Sequence, residues 1–146
     1  MLKQTTQLLA GVDEVGRGCL FGPVVACAVI LSDQTSHNLM QLGLTDSKLL
    51  RPHQRQTLSQ QIQAVALDYK LGLASVAEID RLNILQATLL AMKRAVLKLE
   101  PTPNLCLIDG NQPLHNLHIQ QKTVVGGDRH QTSNAAARIV CKVLGA

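Results

Sequence analysis

Aromatic side chains are almost missing from this chain of 146 residues: Phe21 and Tyr69 are the only two, and there is no tryptophan. Proteins that grip flexible single strands stack bases on several rings, so that mode of binding is disfavoured. Cysteine is sparse and scattered (Cys19, Cys27, Cys106, Cys141), with no Cys-x-x-Cys pair. Such spacing argues against a structural zinc site and against a secreted disulfide scaffold, and it leaves buried free thiols as the expectation. His115 and His118 follow Pro113 in a polar stretch that reads as a solvated loop rather than a ligand pair. No apolar run has the length needed to cross a bilayer. The opening from Met1 to Gln7 is too polar for a secretory signal, so a cytoplasmic location and no membrane partner are expected. A Walker loop is absent. Gly16-Arg17-Gly18 does not continue into a dinucleotide-binding glycine pattern, because Phe21 occupies the third site and Gly22 comes one residue late.

Hydrophobic residues at 46% and charged residues at 16% are those of a globular domain with a real core. The formal net charge of +4 suits a polyanionic partner. With so few rings, the grip on a nucleic acid would come from phosphate contacts and backbone geometry on a duplex.

Leu8 to Gly16 reads as a strand whose apolar run is broken by two adjacent acids, Asp13 and Glu14. Val24 to Leu31 is a β-branched apolar run, as in a strand covered on both faces. The short separation suggests an antiparallel pair. Ser32 to Ser47 is polar and loop-like. Pro52 suits the first turn of a helix running to about Val65. Ala66 to Ala74 alternates as a third strand, and Leu82 to Leu99 carries apolar residues at helical spacing until Pro101 and Pro103. Leu105 to Asp109 is a short buried strand ending on an acid, with Gly110 as its turn. Thr123-Val124-Val125 is another, and Asn134 to Val143 an alanine-rich helix. The expected architecture is one α/β domain over residues 1–146: a mixed sheet of three antiparallel strands plus two further strands, flanked by helices.

The acids stand out, since a buried carboxylate is costly without a compensating partner. Singly, Asp109-Gly110 is a common turn and Asp128 a helix cap. Together, acids at strand ends beside glycine turns can converge on one sheet edge. Hard oxygen donors of that kind suit Mg²⁺ or Mn²⁺ rather than zinc. Four such carboxylates would repel one another and raise some of their pKa values. Two divalent cations about 4 Å apart would neutralise them and flank a phosphate. No other nucleophile–base set in the chain is as coherent. Paired glycines around Arg17 would let the backbone approach a ligand closely while the guanidinium offers its fork of donors.

Ala10 to Gly18 followed by Gly22-Pro23-Val24-Val25-Ala26, Leu44-Thr45-Asp46-Ser47-Lys48-Leu49, Ala77 to Asp80 with Asn83 to Thr88 and Ala91-Met92, Leu107 to Asn111, and Gly127-Asp128 form collinear blocks over almost the whole chain. In order and spacing they resemble the ribonuclease HII family. The resemblance implies an RNase H-like fold and hydrolysis 5′ of a ribonucleotide in an RNA–DNA hybrid or in duplex DNA containing ribonucleotides, as in ribonucleotide excision and DNA replication. The products would be a 3′-hydroxyl and a 5′-phosphate. It implies that Asp13, Glu14 and Asp109 are metal ligands for Mn²⁺ or Mg²⁺, and that Asp128 is a fourth catalytic acid. Gly16, Arg17 and Gly18 match the motif that senses the 2′-hydroxyl at the RNA–DNA junction, and Lys48 a basic residue near the substrate phosphates. Asp46 is as readily a turn cap. No protein partner is indicated.

Four positions depart from the family pattern. Cys19 and Phe21 stand for proline and alanine, Gly126 for a lysine, and Arg138 for a small serine on the alanine-rich helix. A long cation on a closely packed face is expected to cost stability unless it reaches solvent. The chain also ends at Leu144-Gly145-Ala146, where the family continues into further helices with a tyrosine at the junction sugar. Tyr69 does not align with that tyrosine. A shortened copy lacking the family's C-terminal helical segment is therefore expected. Two alternatives to an active nuclease of this type stay open: an inactive remnant that only binds nucleic acid, and another RNase H-fold nuclease.

Overall fold

The computed structural model describes residues 8–15, 22–41, 50–124 and 132–145. Five strands form one sheet: β1 (Leu9–Val15), β2 (Val24–Leu31), β3 (Asp68–Ala74), β4 (Leu105–Asp109) and β5 (Gln120–Val124). Their spatial order is β3-β2-β1-β4-β5. β1–β2 and β2–β3 pair antiparallel, whereas β1–β4 and β4–β5 pair parallel. The helices are α1 (Asp33–Gln41), α2 (Pro52–Val65), α3 (Val76–Leu82), α4 (Ile84–Leu97) and α5 (Thr132–Leu144).

Every residue of β2 is buried, as a β-branched run without polar alternation requires. Its odd and even positions feed two separate cores. Val24, Ala26, Ala28 and Ile30 pack with Met92 and Val96 of α4 on one face. Val25, Cys27, Val29 and Leu31 pack with Ile62 of α2 and Ile139 and Val140 of α5 on the other. Helices therefore cover both faces of the sheet, and β1, next to β2, is sandwiched between them. At the sheet's β3 edge, Arg94 of α4 donates to the Leu73 carbonyl at 2.7 Å and Lys98 to the Leu71 carbonyl at 2.8 Å. Occupied carbonyls and cationic side chains blunt an edge against further strand pairing.

Three expectations need correction. The segment expected as a loop from Ser32 contains α1. Ser32 caps it, accepting through Oγ from the Thr35 backbone N–H at 3.1 Å. Leu39 is the only buried residue of α1, too little apolar pattern for periodicity to register. The long helix expected from Leu82 to Leu99 is α4, and a short helix not expected from the spacing, α3, precedes it. Ser75 and Glu78 form a capping box that starts α3. Asn83 then breaks the chain with φ of 78° and caps α4, its Oδ1 accepting from the Gln86 N–H at 3.0 Å. The last strand, expected at Thr123 to Val125, begins earlier, at Gln120. Pro52 does open α2. Cys27, Cys106 and Cys141 are buried free thiols, as expected. Among the described residues no helix is long and apolar enough to cross a membrane.

A carboxylate pair under helix α5

Parallel pairing of β1 and β4 sets Val12 opposite Ile108, so the next residues, Asp13 and Asp109, sit side by side where β4 ends. Gly110 follows with φ of 128°, a conformation that a side chain would strain, and it turns the chain away immediately after the acid.

The helix above the pair is held by two contacts. Gly11 lies on the α5 side of β1, and a Cβ there would collide with the Ser133 backbone, so the bare backbone lets α5 rest directly on the strand. Asn134 then ties α5 to both strands at once. Its Nδ2 donates to the Leu107 carbonyl at 2.7 Å and, more weakly, to the Val12 carbonyl at 3.4 Å. One helical turn later, on the same face, Arg138 reaches the acids. Its Nε donates to Asp13 Oδ2 at 2.9 Å, and its Nη2 lies 3.7 Å from Asp109 Oδ1.

Asp13 is buried, with 3% of its surface exposed. Burial, and secondly the Asp109 charge, push its pKa up from 3.8 to about 7, against the pull of Arg138 and of the Glu14 N–H, which donates to Asp13 Oδ1 at 2.8 Å. Burial works against the charge on Arg138 too. The hydrogen bond to Asp13 and the fields of Asp13, Asp109 and Glu14 outweigh it and raise the guanidinium pKa. Two carboxylates in a poorly solvated corner thus demand positive charge.

Of the acids singled out from sequence, Asp13 and Asp109 come together, and Glu14 adjoins them closely enough for its charge to be felt at Arg138. Asp128, Gly16, Arg17, Gly18, Lys48 and Asp46 lie outside the described residues, as do Cys19, Phe21 and Gly126. Among the described residues no cluster of three or more His, Cys, Asp or Glu side chains assembles for a metal ion. The donor chemistry of the Asp13–Asp109 pair still fits a hard divalent cation: oxygen atoms only, mutual repulsion, and restricted solvent. Sequence reasoning misjudged Arg138. It neither crowds an apolar face nor escapes to water, its side chain being 25% exposed, because the acids across from it supply a partner. Helical spacing located its face, but not what that face meets.

A family model described as Ribonuclease HII matches residues 10–145. Ribonuclease HII of Acaryochloris marina is 57% identical over 142 residues, which cover 97% of this chain and 72% of that protein. Ribonuclease HII of Trichormus variabilis is 56% identical over 136 residues, 93% of this chain but only 60% of the relative. The crystal structure of ribonuclease H2 from Pyrococcus horikoshii OT3 superposes with a TM-score of 0.82 at 25% identity, over 94% of this chain and 72% of that one. The mixed five-stranded sheet with helices on both faces is accordingly the RNase H-like fold.

Proposed function

The chain belongs to the ribonuclease HII family, and from that premise we propose that it is an endonuclease hydrolysing the phosphodiester 5′ of a ribonucleotide in an RNA–DNA hybrid or a ribonucleotide-containing DNA duplex. The observation that supports this reading most strongly is the meeting of Asp13 and Asp109 at adjacent positions of two parallel strands. In the proposed mechanism Asp13, Glu14 and Asp109 hold two Mn²⁺ or Mg²⁺ ions, with Asp128 as the fourth acid. When bound, such ions lower the pKa of an attacking water and stabilise the leaving 3′ oxygen.

The remaining work falls to the protein. Strand β1 ends at Val15, and Gly16-Arg17-Gly18 follows at once. That motif is the one we assign to the 2′-hydroxyl, the group that distinguishes a ribonucleotide from its deoxy neighbours. Lys48 is assigned to the substrate phosphates. Asn134 and Gly11 fix α5, and with it the ceiling over the carboxylates. Burial of Asp13 keeps bulk water from competing for its oxygens.

We expect Asp13→Asn to abolish Mn²⁺- or Mg²⁺-dependent nicking of a duplex carrying a single ribonucleotide, because it removes charge from the buried half of the pair. Nicking by the variant at the rate of the unaltered chain would refute the assignment. The Arg138–Asp13 ion pair favours a second reading, an inactive form that binds duplexes without cutting them. That form would show salt-sensitive duplex binding and no metal-dependent product. A clean nick at the ribonucleotide that disappears in Asp13→Asn excludes it.

A further inference from the structure

The carboxylate pair is not waiting bare for a metal: a guanidinium already spans it. Nε of Arg138 hydrogen-bonds Asp13 Oδ2 at 2.9 Å while Nη2 stands 3.7 Å from Asp109 Oδ1. We propose that Arg138 is a built-in cation that competes with the divalent metal for the Asp13–Asp109 pair, so that metal entry requires the guanidinium to give way. This inference rests on the metal-dependent nuclease reading above.

Three observations carry it. First, the contact is pre-organised rather than a chance meeting of surface side chains. Asn134, one turn earlier on α5, anchors the helix to the carbonyls of Leu107 and Val12, each on one of the two strands that bear the acids. Second, the pairing takes up the oxygen atoms a metal would use. Asp13 Oδ2 accepts from Arg138 and Oδ1 from the Glu14 N–H, so both oxygens of the more buried acid already have a donor. Third, an arginine charge is permanent. A guanidinium does not deprotonate at any pH at which the protein is folded, so it can leave only by moving. The long Asp109 contact and the partial exposure of the Arg138 side chain, 25%, give it somewhere to go: it can swing towards water while keeping its aliphatic stem on the helix.

The competition has a direction. Without metal, Arg138 offsets the repulsion between the two acids and stabilises the fold. With metal, its charge opposes the incoming cation and weakens binding. Removing the charge while keeping the length should therefore do two opposite things, loosening the metal-free protein and tightening its hold on the ion.

Isothermal titration of Mn²⁺ into the full chain and into Arg138→Gln tests this, with thermal unfolding of both proteins followed with and without Mn²⁺. Hydrogen bonds to charged groups of this kind correspond to roughly ten-fold or more in an equilibrium constant. Arg138→Gln is thus expected to bind Mn²⁺ about ten-fold tighter or better, to melt earlier without metal, and to gain more from Mn²⁺ than the unaltered chain does. Arg138→Lys keeps a charge without the fork, and should fall between the two. It also serves should Arg138→Gln not fold. Repeating the titrations with Asp13→Asn added separates the possible failures. Mn²⁺ binding that needs Asp13 but is equal in Arg and Gln forms, or weaker in Gln, overturns the competition and leaves the metal site standing. The same result would arise if Arg138 served substrate phosphate instead. Absence of any Asp13-dependent binding in all forms overturns the metal site and the competition together.

Discussion

Asp13 shows how one residue can be conspicuous in a sequence and still have an unreadable role. Its place inside an apolar strand marks it as costly, and burial does push its pKa to about 7. What offsets the cost is invisible along the chain: Arg138 lies 125 residues away and Asp109 on another strand. Asp109 by itself is an ordinary turn residue, and only the parallel register with β1 turns it into half of a pair. Asn134 was seen only as the start of a helix, although its amide spans two strands. Replacing it with alanine removes both side-chain contacts to the strands, and we expect Asn134→Ala to lose about 0.5–1.5 kcal/mol of stability in a urea titration. It should also weaken the Arg138–Asp13 contact, because the anchor one turn earlier is gone. A variant as stable as the unaltered chain would contradict that anchoring role.

At the scale of elements, the strands and the major helices were legible because their apolar spacing is strong. The failures have local causes. Helix α1 has almost no buried face, so nothing periodic betrays it. Helix α3 has seven residues, too few to show a stripe, and the Ser75-x-x-Glu78 capping box that opens it was not read from the sequence. Glu78 does more than cap. Arg94 clamps it with two hydrogen bonds at 2.7 and 2.6 Å, tying α3 to α4. Those bonds, with the Ser75 cap, hold the Glu78 carboxyl well down, from 4.5 to about 2. A depressed carboxylate contributes stability that is complete above the unfolded value and fades as pH falls towards the folded one. The stability gap between the unaltered chain and Glu78→Gln should therefore be full above pH 4.5 and close as pH approaches 2. A gap independent of pH would show that the clamp contributes nothing through charge. Gly11 belongs to the same scale, since it sets the distance between β1 and α5. Gly11→Ala drives a methyl group into the Ser133 backbone, and we expect a loss of roughly 1–3 kcal/mol together with weakened Mn²⁺ binding, read by chemical denaturation and calorimetry.

For the molecule as a whole, the two cores on either side of β2 account for the inertness of its thiols. Cys27 and Cys106 are each pushed up to about 12, chiefly by burial, and Cys141 is raised further for the same reason. Thiolates are the reactive form, so alkylation of the native protein, mapped by peptide, should spare all three until denaturant is added. Modification of Cys27 at the rate seen in unfolded chain would mean that the sheet opens readily. The fold class was readable because strand-type and helix-type spacing alternate in the order that a mixed sheet covered on both faces requires. The site was half readable. Residue types announced oxygen chemistry, but convergence came from register, and the guanidinium that completes the described pair came from a helix whose contacts no spacing rule supplies.

The most direct measurement of the central claim is anomalous X-ray scattering from crystals of the full chain soaked in Mn²⁺. A peak within coordination distance of both Asp13 and Asp109, with the Arg138 guanidinium moved off Asp13, is the expected result. Manganese bound away from these acids, or Asp13 and Asp109 directed to separate places, would contradict it.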